Sequence, residues 1–346
     1  MDNSKEIILY HYSFSPYARR IVWYLALRRI PYKQCIQPPT MPRPDISALG
    51  VSYRRIPILS IGSDIYLDTR LILQKLEQLF PPSSSHPPLN SPSPPSNAPS
   101  TKATQATITK LLEHYTIDSG LFVRAAALIP TSTPLLKDPK FTTDREEFTG
   151  RPWSAVNIER GRPEALVEIK SAFEFFERTV LGDGREWVLG GDGDGVTLAD
   201  IEGVWLFSWL IGLKGALEGG GIERDVYPRT WAWVERFEGV VREAMRGNGK
   251  VVKVSGVEAA RAVGNAKWAE VEAGVDEGDP SGLRKGEMVE VWPIDSGFSR
   301  KDRGRLVGLS TREVVIEGRT EEGKEVRIHA PRHGFRVRRA KEGGNL

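Results

Sequence analysis

Short apolar runs of two kinds alternate over the first eighty residues. Ile7-Ile8-Leu9-Tyr10 is unbroken and brief, the pattern of a buried strand. From Ala18 to Arg29 the apolar positions 21, 22, 25 and 26 form one stripe of a helix. Ile56 to Ile61 and Ile65-Tyr66-Leu67 flank Gly62-Ser63-Asp64, which predicts a hairpin. Leu71, Leu73, Leu76 and Leu79 predict a helix after it. The order β-α-β-β-α describes a small α/β domain over residues 1–80.

Residues 81–100, PPSSSHPPLNSPSPPSNAPS, hold almost no side chain able to enter a core and predict an extended, mobile tether. The texture over 101–282 is helical. Leu166, Ile169, Phe173, Phe176 and Val180 follow a 3-4-3-4 spacing, and Thr197-Leu198-Ala199-Asp200 has the form of a capping box ahead of a strongly apolar helix from Ile201 to Leu213. A second box, Ser255-Gly256-Val257-Glu258, opens a helix through Val263. Gly190 to Gly195 lacks the terminal bidentate glutamate of a calcium loop and reads as a turn. Over 283–346, alternating runs such as Met288 to Trp292, Glu313 to Glu317 and Glu325 to Ile328 predict short strands and a small SH3-like β-barrel.

Composition narrows the function classes. With 48 Lys and Arg against 45 Asp and Glu, the chain as a whole has no charge surplus to offer nucleic acid. The last segment, with 15 basic against 10 acidic residues from Leu283 onward, is mildly basic, and its RVRRAK run reads as a solvated face. The single cysteine, Cys35, excludes an internal disulfide. No segment has the length or polarity pattern of a membrane span or a leader peptide, so a cytoplasmic protein is expected. The five histidines, His11, His86, His114, His329 and His333, show no metal-ligand spacing, and no metal is expected.

The chemistry centres on Ser15-Pro16, between the first strand and the first helix. Serine is a preferred N-cap and proline a preferred first helical residue, so a structural reading is complete in itself. A hydroxyl at a helix N-terminus also sits where free N–H groups and the helix dipole favour an anion. The residues downstream decide what kind. Arg55-Ile56-Pro57-Ile58-Leu59, a turn, a strand and Leu67-Asp68-Thr69-Arg70 at a helix start resemble the thioredoxin-like N-terminal domain of the glutathione S-transferases, and GDGVTLADIEGVW resembles a helix start in their all-α C-terminal domain.

That resemblance implies glutathione as co-substrate. Phe14-Ser15-Pro16 is similar to the aromatic-Ser/Cys-Pro segment of serine- and cysteine-type members, which puts Ser15 at the catalytic position, donating a hydrogen bond to the glutathione sulfur. Pro57 matches a cis-proline that turns the backbone of Ile56 toward the cysteinyl part; Asp68-Thr69 matches the pair holding the γ-glutamyl end; Arg55 matches the residue reaching the glycyl carboxylate. Arg20 matches an arginine of the first helix. The hydroxyls of Tyr12, Ser13 and Tyr17 are near enough to act in place of Ser15. Tyr17, Tyr115, Phe122 and Trp205 are candidates to line the site of a hydrophobic electrophile, although aromatic residues on helices usually serve packing, and Asp200 reads as a cap. A homodimer is the family habit. Two rival readings keep the fold and change what it is used for. One is an isomerase, dehydratase or cyclase of a metabolite pathway; the other is a non-catalytic interaction module that docks through its C-terminal β segment.

Overall fold

The computed structural model describes residues 5–89, 99–190 and 195–341. Part of the tether, residues 90–98, and the core of the glycine-rich turn, residues 191–194, lie outside the described residues. The N-terminal unit contains β1 (Ile7–His11), α1 (Pro16–Leu27), β2 (Lys33–Ile36), α2 (Pro44–Ser47), β3 (Ile58–Ile61), β4 (Asp64–Leu67) and α3 (Thr69–Leu79). Its strands run in the order β2-β1-β3-β4, with β1 parallel to β2 and antiparallel to β3.

Alternation along β1 shows why that run is apolar throughout. Ile7 and Leu9 join a core shared with α1, α3 and the helical unit, whereas Ile8 and Tyr10 point to the opposite face and a second core. A strand covered on both sides has no polar period.

The helical unit comprises α4 (Pro99–Ile117), α5 (Leu121–Ala126), α6 (Pro134–Lys137), α7 (Pro139–Thr149), α8 (Ala155–Phe175) with a π turn at Phe176–Val180, α9 (Leu198–Gly212) and α10 (Pro228–Gly247). Helix α9 is buried all round and begins at the expected capping box. Asp200 caps Thr197 there and also accepts hydrogen bonds from Val188 N and Trp233 Nε1, at 2.9 and 2.8 Å. Gly203 is needed for close approach: a Cβ at that position would lie 3.0 Å from the Phe176 ring and 3.1 Å from Trp233.

The change of texture at Gly282 predicts a module apart; the structure joins it to the N-terminal sheet. After β5 (Val252–Lys253), α11 (Gly256–Gly264) and β6 (Gly274–Val275) come β7 (Met288–Pro293), β8 (Asp302–Leu309), β9 (Glu313–Arg319), β10 (Glu325–Pro331) and β11 (Phe335–Arg339). Strand β10 pairs in parallel with β4, Ile328 opposite Ile65, so one sheet runs β11-β7-β8-β9-β10-β4-β3-β1-β2-β5. The physical reason is the outer edge of β4, whose N–H and C=O groups need partners once that strand is buried. Charge is matched along this seam. His329 lies between Asp64 at 3.0 Å and Glu313 at 3.2 Å, and Lys75 reaches both Glu270 and Glu313.

Asp302 ties the same module to the loop before β3. It is 2% exposed and accepts hydrogen bonds from the backbone N–H groups of Ser52, at 2.6 Å, and Tyr53. Burial pushes its carboxyl up to about 7 despite those two bonds. A carboxyl that holds its proton more tightly when folded leaves stability intact below about pH 4 and erodes it as pH rises toward 7. The ceiling is on the order of 4 kcal/mol for a shift of about three units. In Asp302→Asn, thermal melts should therefore lose this slope: the difference in Tm between variant and wild type should grow from pH 5 to pH 7 and level off above it. Parallel curves would show that Asp302 folds ionised.

Candidate active site

Strand register assembles the candidate residues. Tyr10 stands opposite Ile58, and Ile58 opposite Leu67. The segments just beyond these positions, Tyr12 to Ser15, Ile56-Pro57 and Asp68-Thr69, therefore meet at one end of the sheet, where α1 and α3 also begin.

Ser15 is the N-cap of α1, and its Oγ accepts a hydrogen bond from Ala18 N at 3.3 Å. That bond uses a lone pair and leaves the hydroxyl proton to be donated. The residue is only 2% exposed, whereas Phe14 beside it is 43% exposed and packs on Tyr12. The Ile56–Pro57 peptide is cis, as the resemblance implies.

Asp68 caps α3 from a backbone conformation with φ of +68°, strained for a residue with a side chain. Its carboxylate takes a bidentate grip from Arg70, at 3.0 and 3.1 Å, in addition to Arg70 N. Burial alone would raise the Asp68 carboxyl, but the charge and bonds of Arg70, reinforced by Arg55, hold it at about 2. Thr69 Oγ1 accepts from Arg20, whose other guanidinium nitrogen pairs with Glu202 of α9. Neither Arg20 nor Glu202 is more than 1% exposed.

Two loops of the C-terminal segment cover this end of the sheet. Arg55 donates to the carbonyl of Ser296, at 3.1 and 2.7 Å, and pairs with Asp295. Tyr53 stacks on Phe335, and Gly334, with φ of +74°, sits where a Cβ would come 3.1 Å from Arg70 Nη2. No local signal in the sequence points to these contacts, since about 240 residues separate Arg55 from Asp295.

The aromatic candidates divide. Tyr17, Phe122 and Trp205 form one cluster with ring centroids 4.7 to 5.6 Å apart, extended by Trp209. Burial pushes the Tyr17 phenol up, while Arg55 and Arg20 act in the opposite sense, so its hydroxyl lies within the field of the charged site. Trp205 is fully buried and donates to Thr116 at 3.1 Å, which makes it core. Tyr115 stands apart, against Phe175 and Phe176. His114 and His333, without metal spacing in sequence, converge on Asp118, because the loop between β10 and β11 folds back over the end of α4.

Residues 9–84 match the family model of the glutathione S-transferase N-terminal domain, and residues 124–246 match that of a domain of unknown function, DUF7962. No curated protein matches the chain. A GST-like protein from Pseudomonas syringae superposes with a TM-score of 0.63 at 23% identity, covering 97% of this chain and all of that one. Rice GST1 (OsGSTU1), solved in complex with glutathione, superposes with a TM-score of 0.50 at 21% identity over 75% of this chain and 96% of its own. The fold is that of the GST-like proteins, with a thioredoxin-like N-terminal domain, which carries the family match, followed by a helical GST C-terminal domain. Coverage of 97% in the bacterial protein leaves too small a remainder to omit the C-terminal β segment, so that segment is part of the shared fold. Among the described residues, no helix is long and apolar enough to cross a membrane.

Proposed function

We propose that the chain is a serine-type glutathione transferase that presents the thiolate of glutathione to a hydrophobic electrophile. The observation that carries this reading is the meeting of Ser15, cis-Pro57, Asp68-Thr69 and Arg55 around one end of the sheet, where α1 directs its N-terminus. Ser15 donates to the sulfur, Asp68 receives the γ-glutamyl ammonium, and Arg55 takes the glycyl carboxylate. Tyr17 and Phe122 face the acceptor. Glutathione in the rice relative supports the choice of ligand. A thiol with a pKa near 8.5 is only a few per cent ionised at pH 7, and a decrease of about one to two units makes thiolate a major species. A homodimer and a cytoplasmic setting belong to the same reading. So does a barrel-like closure of the C-terminal segment, supported by the pairing of its first strand with its last.

Calorimetry with glutathione and turnover of an activated aryl halide test it. Ser15→Ala should reduce turnover by roughly 10²-fold, the order that one catalytic hydrogen-bond donor contributes, while tripeptide affinity changes little. Wild-type protein that fails to bind millimolar glutathione sinks the reading.

The engagement of Arg55 by Asp295 favours a second reading, in which the C-terminal segment occupies the tripeptide site and the fold serves interaction. The two separate in Asp295→Ala. Release of Arg55 should tighten glutathione binding by about tenfold if the guanidinium serves the ligand, in line with the roughly 1.5–3 kcal/mol of a charged hydrogen bond. Unchanged absence of binding supports the interaction reading.

A further inference from the structure

His114 and Asp118 stand four residues apart at the end of α4, on one side of the helix. His333 reaches them from the turn between β10 and β11. His114 Nδ1 lies 2.5 Å, and His333 Nε2 3.0 Å, from the same oxygen, Asp118 Oδ2. The two rings are nearly perpendicular, with centroids 5.2 Å apart, and one ligand atom from each residue falls within 4.8 Å of the others. From these positions the geometry points to a site for a divalent transition-metal ion of the zinc class, which staples the β10–β11 turn to helix α4. The inference is independent of the thiol chemistry proposed above.

The donor set suits that class. Two imidazoles and one carboxylate are borderline ligands, preferred by zinc and its first-row neighbours over calcium or magnesium. Zinc bonds of about 2.0–2.2 Å separate tetrahedral ligands by roughly 3.3–3.6 Å, so the two nitrogen–oxygen separations must widen by up to about 1.1 Å and the two imidazole nitrogens, within 4.8 Å of each other, must close by up to about 1.5 Å, shifts that side-chain rotation supplies. All three side chains retain solvent exposure, at 39% for His114, 29% for Asp118 and 57% for His333, which admits the ion and leaves a fourth position to water.

Electrostatics agree. Arg70 donates to the other oxygen of Asp118 at 2.7 Å and orients the carboxylate so that Oδ2 faces the imidazoles. The positive charge of Arg70 is already matched by its bidentate pair with Asp68. Two carboxylates around one guanidinium leave one negative charge for the cation. Because Gly334 next to His333 lies over Arg70, the bound ion would fasten the loop that covers Asp68.

The test is zinc titration of untagged full-length protein against a competing colorimetric chelator, beside His333→Gln and the double variant His114→Gln/His333→Gln. Cys35 and the remaining histidines are unchanged in all three, so the differences report this site. Wild type should take up one equivalent, His333→Gln should bind at least about tenfold more weakly, beyond what an outer-shell change costs at the low end, and the double variant should lose the site. Zinc should also raise the Tm of wild type, with the effect reversed by chelation. Equal uptake by wild type and double variant, or no uptake and no Tm shift in wild type at micromolar zinc, overturns the proposal.

Discussion

Arg20→Ala should lower the unfolding free energy by about 3–5 kcal/mol, the range for removing one partner of a buried ion pair. Arg20 connects three elements from within the core: its guanidinium pairs with Glu202 on α9, donates to Thr69 at the start of α3, and lies 5.8 Å from the ring of Trp205. The truncation leaves Glu202 buried with its nearest cation gone. Burial already pushes the Glu202 carboxyl up to about 7, against the charge of Arg20. Without the arginine the carboxyl rises further, so the folded variant binds a proton that its unfolded chain releases. Stability should then go on declining above about pH 7, where the wild-type decline levels off. Urea unfolding at pH 5.5 and pH 8 measures both effects, with the larger loss expected at pH 8. Arg20→Lys should recover little, because an ammonium cannot fork between a hydroxyl and a carboxylate as a guanidinium does. Arg20→Met combined with Glu202→Met should recover most of the loss. A cost below about 1 kcal/mol for Arg20→Ala would mean that water enters and solvates Glu202.

A chain ending at Gly282 should fail to reach the native state. Strand β4 would lose β10 along its edge, Asp64 would lose His329, and Lys75 would lose Glu313. The larger effect is hydrophobic. Ile8, Tyr10, Ile58, Ile65 and Leu67 pack in one cluster with Val289, Val291, Leu306, Ile316, Val326 and Ile328, all from the deleted segment. At about 1.5–3 kcal/mol for each large side chain uncovered, the five N-terminal residues alone approach the 5–15 kcal/mol of a typical domain. The expected product is aggregated or lacks a cooperative melt, as seen by gel filtration and circular dichroism. A monodisperse fragment with a sharp transition would show the C-terminal segment to be separable and the shared core dispensable.

Local rules reach far along this chain. Both capping boxes, at Thr197 and Ser255, form where the sequence puts them, since an N-cap and its partner three residues on need no distant help. The hairpin and the helices at Pro16 and Thr69 appear where period and turn chemistry place them. Strand β2 carries no such signal: Lys-Gln-Cys-Ile has four residues and no alternation, and parallel pairing with β1 on one side and β5 on the other makes it a strand. Strands β5 and β6, with two residues each, exist only through their partners.

The candidate site divides in the same way. The amino-acid sequence alone determined which residues lie at the ends of the elements on one side of the first sheet: Ser15 before a helix, Pro57 at the start of a strand, Asp68 where a helix opens. Each depends on neighbours within a few positions, so short-range sterics and hydrogen bonding suffice. Tertiary structure alone decided that Asp295 holds Arg55, that His333 meets His114 at Asp118, and that a late strand completes an early sheet. Those pairings join residues some 215 to 265 positions apart, and they form because buried edges, charges and apolar faces must be satisfied by whichever segment the folded chain brings alongside.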